Sequence, residues 1–324
     1  MVVKSSKTKD KMPPADKLQL STLIDMESPD AVHNEVIAIL NLIDPLFDWQ
    51  AVDDLFHFTS ELYSGRHPQY KACDTDYHDF RHVTDTYLAI VRMIHGAIIE
   101  GEIFLRREII LGLAGTLLHD SGLIKHKDDR ADTGADYVKD HVQRSMDFIK
   151  RHAADLGLSA PEVEDVRSMI LCTDLAADLA AISFNSRSIA MLGKMLGTAD
   201  LIGQMADRTY LEKLLFLFHE FRKAEISDCE DEVEFLYKTL DFYKMCDYRF
   251  DVTLERLYRL MVPHFQSRWD VHINLYTDSL NKQRDFLKKI LADQNGSPYD
   301  YLKRSGIVRE VRRKFGELGL KTGD

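Results

Sequence analysis

Residues 106–120 read RREIILGLAGTLLHD, and no charged residue falls between Ile109 and Leu118. A helix that is apolar nearly all round has no face to offer to water, so it belongs in the middle of a domain with other helices wrapped around it. The apolar run is also far short of the roughly 20 residues needed to cross a bilayer. It ends in His119-Asp120, which places an imidazole and a carboxylate at a buried helix end. A buried carboxylate is expensive unless it is paired or bound to a cation, so this pair is a candidate metal site.

The sequence on either side keeps the same helical character. Residues 82–99 are amphipathic, with Val83, Tyr87, Ile90, Val91 and Ile94 on one side. Before them, residues 18–58 carry Val36, Ile37, Ile39, Leu40, Leu42 and Ile43 at helical spacing up to Pro45, and a loop holding Gly65, Pro68, Asp74 and Asp76 follows. Further helical patterns cover about residues 137–152, 161–172, 188–202 and 209–224. The acidic stretch 227–234 starts another, and two more lie around 252–261 and 274–291. Residues 301–318 read as a basic, weakly amphipathic helix. Only 16 Gly and 8 Pro in 324 residues favour long helices over short strands joined by tight turns. The expectation is an all-α, compact multi-helix bundle: one main domain over 18–291 including its N-terminal helical layer, a disordered basic tail over 1–17, and a C-terminal helical tail over 292–324.

The formal charge of −11 sets the surface against nucleic acid and anionic lipid, although a bound divalent metal reverses the potential locally. Cys73, Cys172, Cys229 and Cys246 are far apart and form no CxxC pair, which argues against a zinc–thiolate site and a disulfide framework. They read as reduced, mostly core cysteines. The first 17 residues lack the apolar core of a secretory signal, so a cytoplasmic protein is expected.

His78 and His82 lie one helical turn apart, so if both are helical their imidazoles approach one site. Taken alone, the pair equally fits surface or hydrogen-bonded core histidines. Asp200, after Gly197-Thr198-Ala199, reads as an acidic residue terminating an apolar helix over 189–196; it either joins such a site or caps the next helix. Two histidines, a His-Asp step and a distant aspartate make a mixed nitrogen and oxygen donor set suited to Zn²⁺, Mn²⁺, Fe²⁺ or Mg²⁺.

The order of these motifs resembles the HD superfamily of metal-dependent phosphohydrolases and, within it, the catalytic domain of the class I cyclic-nucleotide phosphodiesterases, over roughly residues 55–291. Tyr77-His78-Asp79-Phe80-Arg81-His82, with Asp85 three residues on, looks like the family's YHNxxHxxD segment; Leu117-Leu118-His119-Asp120 looks like its HD step. Cys172-Thr173-Asp174-Leu175 is similar to its threonine-aspartate turn, and Thr198-Ala199-Asp200-Leu201 to its ADLS segment. The resemblance implies that His82, His119, Asp120 and Asp200 hold a first metal, with Asp120 bridging to a second, and that His78 is the general acid. It further implies two divalent ions, zinc with magnesium or manganese at the second site, where His141, Thr173 and Asp174 could serve the second metal or the phosphate.

The departures fall at the second metal and the substrate end. The family's HDxxHPG is replaced by His119-Asp120-Ser121-Gly122-Leu123, closer to the HDxG of simpler HD hydrolases. Leu254 and Leu257 stand where the purine-clamping glutamine and stacking phenylalanine would be, leaving Gln204 or Gln266 as other residues able to read a base.

The expected activity is hydrolysis of a small phosphoester, most of all a cyclic or other nucleotide phosphodiester, by a hydroxide held between the metals, with protonated His78 supplying the leaving oxygen's proton. Asp76, Asp79 or Asp174 would keep His78 charged. An HD-type phosphomonoesterase or nucleotide hydrolase is the alternative, and a non-catalytic HD signalling module a further one. No nucleic acid or membrane partner is expected, and no sequence feature sets an oligomeric state.

Overall fold

The computed structural model describes residues 18–316. The expected tail over 1–17 lies outside the described residues, as do the last residues, 317–324, of the expected C-terminal tail. Among the described residues there is no strand, and the only β pairing is an isolated antiparallel bridge between Tyr70 and His126. The all-α expectation is met.

The centre of the molecule is α4 (Phe80–Ile99), with Asp79 as its N-cap: the Asp79 carboxylate accepts the His82 amide N–H at 2.9 Å. From His82 to Ala97 every residue of α4 is buried. It is enclosed by α2 (Pro29–Ile43), α5 (Arg106–Leu118), α8 (Arg187–Met205) and α11 (Met261–Trp269). The helix read from residues 106–118 is α5 with those bounds, and all ten residues from Ile109 to Leu118 are buried. Fully burying one large aliphatic side chain is worth about 1.5–3 kcal/mol, so this run of the sequence commits strongly to the interior.

Around that centre lie α1 (Leu20–Leu23), α3 (Gln50–Tyr63), α6 (His141–Arg151), α7 (Ala160–Ile170), α9 (Tyr210–Lys223), α10 (Glu232–Tyr248), α12 (Leu275–Ala292) and α13 (Ile307–Phe315). In the C-terminal segment Leu302, Ile307 and Val311 are buried in the same core as the central helices. No helix among the described residues is long and apolar enough to cross a membrane. All four cysteines are free, with Cys172, Cys229 and Cys246 buried.

Three local expectations need correction. The helix expected around 252–261 is instead a π-helical turn (Arg249–Thr253), two left-handed residues, Glu255 and Arg256, and a 3₁₀ turn (Leu257–Leu260) that leads into α11. The break falls at Glu255 and Arg256, whose left-handed backbone no α-helix admits, and Pro263 sits in the first turn of α11, where a proline is tolerated. The helix expected over 301–318 is reduced to α13, because Ser305 and Gly306 adopt left-handed conformations. Asp200 does not end a helix either, since α8 runs on to Met205.

Candidate metal centre

Three core helices supply the cluster. α4 brings His82 from its first turn, α5 delivers His119 as its C-cap with Asp120 next, and α8 carries Asp200 in its interior. His82 Nε2 lies 3.2 Å from His119 Nε2 and 3.0 Å from Asp200 Oδ1, and His119 Nε2 lies 3.5 Å from the same oxygen. These three residues present one donor atom each within 4.8 Å of one another. Asp120 Oδ2 reaches both imidazole Nε2 atoms at 3.4 Å. A metal about 2.0–2.2 Å from its ligands holds neighbouring donor atoms about 2.8–3.6 Å apart, and these separations fall in that span.

The hydrogen bonding agrees with the spacing. His119 Nδ1 faces the Thr116 carbonyl at 2.8 Å, which places its proton there and turns Nε2 into a lone pair aimed at the cluster. Asp120 Oδ2 is buried and has no hydrogen-bond partner, so the pocket contains an acceptor that nothing in the protein satisfies. Burial penalises the charged form of each group, but the mutual charges override it: Asp120 and Asp200 lift the His119 imidazole to about 9, while the imidazoles hold both carboxyls below the usual range. Without a cation the cluster would gather protons; a divalent metal does the same neutralisation with better geometry. The residues present therefore fit a divalent metal.

His78 is not helical. It precedes the N-cap of α4, and its ring sits 5.9 Å, centroid to centroid, from that of His82. It therefore reaches the site from the loop, beside the cluster rather than in it. Its partner is Glu220 on α9, whose Oε2 lies 2.6 Å from His78 Nδ1 and whose Oε1 accepts the Tyr77 amide N–H at 2.7 Å. Burial would lower the His78 pKa; Glu220, through charge and hydrogen bond, and then Asp120 and Asp200 raise it to about 9. None of the expected carboxylates fills this role. Asp76 pairs with Lys314, Asp79 caps α4, and Asp174 accepts the Ala176 amide N–H at 2.8 Å. Glu220 had a signal in the sequence that went unused: Phe216-Leu217-Phe218-His219-Glu220 repeats the pattern of Leu117-Leu118-His119-Asp120, polar groups at the end of an apolar run.

His141, at the start of α6, places Nε2 3.6 Å from Asp120 Oδ1, the oxygen turned away from the three-residue cluster. Thr173 is buried and donates to the Ile170 carbonyl at 2.8 Å, so its hydroxyl is already engaged. Gln204 lies one turn beyond Asp200, where its side-chain oxygen accepts the Tyr77 hydroxyl and its Nε2 donates to the Asp200 carbonyl at 3.0 Å. Leu254 and Leu257 are core residues. Gln266 is exposed on α11, which meets α4 where His95 and His264 pair; that is about thirteen residues, or about 20 Å, along α4 from His82. A cleft of about 490 Å³ lined by Met146, Arg167, Leu171 and Ile182 includes no residue of the cluster.

No family model matches the chain, and no curated protein or solved structure matches it either. The all-helical fold and the buried His/His/Asp cluster stand on the geometry alone.

Proposed function

We propose that this chain is a metal-dependent phosphoester hydrolase, with a nucleotide phosphodiester as the preferred substrate class. The observation that carries the reading is a proton-bearing dyad, His78–Glu220, standing next to a metal-sized donor cluster. His82, His119, Asp120 and Asp200 would hold the first ion, and Asp120 Oδ1 with His141 Nε2 offers a place for a second. A divalent metal, when bound, supplies a Lewis acid for the phosphoryl oxygens and a source of nucleophile at neutral pH.

The chain's own residues supply the rest. His78, kept protonated by Glu220, delivers a proton to the departing alkoxide, the step that limits cleavage of an unactivated ester. Glu220 also fixes the backbone on which His78 stands, through the Tyr77 amide, so the ring is oriented before substrate arrives. The core packing around α4, α5 and α8 keeps the ligands in place and the local dielectric low, which strengthens each charge interaction.

The test is elemental analysis of the purified protein together with hydrolysis of bis-p-nitrophenyl phosphate and p-nitrophenyl phosphate in added Mn²⁺ or Mg²⁺. Bound metal with diester cleavage supports the proposal and directs the next screen to cyclic nucleotides. Monoester preference would replace it with a phosphomonoesterase. Absence of both metal and turnover would leave a non-catalytic signalling module.

A further inference from the structure

Four histidines surround the candidate centre, and three have their Nδ1 accounted for. His119 faces the Thr116 carbonyl at 2.8 Å, His141 the Val138 carbonyl at 2.7 Å, and His78 the Glu220 carboxylate at 2.6 Å. His82 differs. Its Nε2 points into the cluster, and its Nδ1 is buried with no hydrogen-bond partner. A neutral imidazole that offers Nε2 to a metal carries its proton on Nδ1, and a buried N–H left unpaired costs about 1–3 kcal/mol.

One turn further along α4, Asp85 shows the complementary defect. It is 2% exposed, and its Oδ1 has no hydrogen-bond partner. The nearby cations are committed elsewhere: Arg81 donates to Asp207 at 3.0 Å, and Lys213 lies 3.3 Å from the same carboxylate. Asp85 therefore keeps a free acceptor in the interior. His82 and Asp85 line one small chamber of about 10 Å³, walled also by Tyr77, Gln204 and Lys213. A volume of about 10–15 Å³ with two or more polar partners is what one ordered water needs.

We infer that Asp85 is a positioning residue for His82: one water in this chamber accepts the His82 Nδ1–H and donates to Asp85 Oδ1, fixing the tautomer that leaves Nε2 free for a metal. The inference rests on the metal-centre reading. It gives the isolated acid a purpose, since ligating histidines hold their geometry and basicity through such outer partners, and loss of the partner weakens metal affinity about 10–100-fold.

The experiment measures Co²⁺ affinity by chelator competition, with the cobalt absorption spectrum as a second readout, for the wild-type chain, Asp85→Leu and Asp85→Asn, and the melting temperature of each metal-free protein. Asp85→Leu should bind Co²⁺ about 10–100-fold more weakly with a changed spectrum, and should melt no lower than wild type when metal-free, because a buried polar group whose Oδ1 has no hydrogen-bond partner has been removed. Asp85→Asn, which keeps an acceptor oxygen, should recover part of the affinity. Unchanged Co²⁺ binding by a folded Asp85→Leu protein overturns the inference. So does a loss of affinity matched by an equal fall in metal-free stability in both variants, the mark of a packing role. A wild-type chain that binds no Co²⁺ removes the metal centre itself, an outcome separate from either of these.

Discussion

Glu220 holds His78 and Tyr77 at once: Oε2 takes the imidazole Nδ1–H at 2.6 Å and Oε1 takes the Tyr77 amide at 2.7 Å. Glu220→Gln keeps a side chain that can still accept the amide but removes the charge that raises His78 to about 9. In the proposed mechanism the protonated imidazole is the acid, so activity falls as pH rises through its pKa, and the variant should move the alkaline limb of kcat to lower pH. At pH 8, kcat on an alkyl phosphodiester should drop at least about tenfold. A p-nitrophenyl ester, whose leaving group needs no proton, should be much less affected. Equal losses on both would take His78 out of the acid role.

The carboxylate in the middle of α8 lies against two imidazoles, at 3.0 and 3.5 Å, and is the candidate ligand that would tie them together. Asp200→Ala should leave the helix intact and abolish stoichiometric metal, and with it all turnover. Asp120→Ala should do the same, whereas His78→Ala should retain metal and lose about 10²–10⁴-fold in kcat on an unactivated ester. Elemental analysis alongside kinetics separates the two classes, and metal-replete Asp200→Ala protein would contradict the assignment.

Metal uptake should be linked to pH through His119. Its imidazole, lifted to about 9 in the metal-free protein, has to release a proton before it can ligate. Affinity should therefore tighten about tenfold per pH unit between pH 7 and 9 and level off above. In the metal-free protein the sign is reversed: the stabilisation from raised His78 and His119 is fully present below about 6.5 and is lost as pH rises through about 9. Chelator competition and metal-free melting curves at pH 7, 8 and 9 measure both; affinity that does not change with pH would rule out proton displacement.

Gly122 is the contact through which the His-Asp step meets α6. Its N–H donates to Ser145 Oγ at 2.8 Å and its carbonyl accepts from Arg144 Nε at 2.7 Å. A Cβ at this position would lie 2.1 Å from the His141 carbonyl oxygen. Gly122→Ala should push α6 outward, lower stability by about 1–3 kcal/mol, and weaken whatever depends on the 3.6 Å approach of His141 to Asp120. Thermal melting and metal stoichiometry would record it; an unchanged melting temperature would mean that the loop yields freely.

The parts of the molecule that were legible in the sequence are those where one local pattern decides the outcome. The run from Ile109 to Leu118 can only be buried, and the His-Asp step at its end follows. Asp200 was expected just past the end of an apolar helix over 189–196, whereas α8 carries it in its interior and runs on to Met205. The small residues before it do permit the close approach they suggested: a Cβ on Gly197 would lie 2.4 Å from the Cys172 carbonyl oxygen, so α8 passes close to the turn after α7. Glu220 is 142 residues from His78, and no spacing rule spans that distance. The helix expected over 252–261 failed at Glu255 and Arg256, whose left-handed conformations the apolar periodicity does not announce.

The candidate ligands come from α4, α5 and α8, helices that meet only when the core is complete, so an unfolded chain has no comparable site to offer. Metal availability would then act as a mass-action term on the native state, worth about 2.7 kcal/mol at a free concentration one hundred times the dissociation constant. If the candidate centre binds metal, ion supply in a cell would become a control on how long the protein survives: a starved chain would hold buried carboxylates that only protons neutralise, open more often, and be exposed to proteases at each opening. Limited proteolysis with and without chelator would show that difference as a change in half-life.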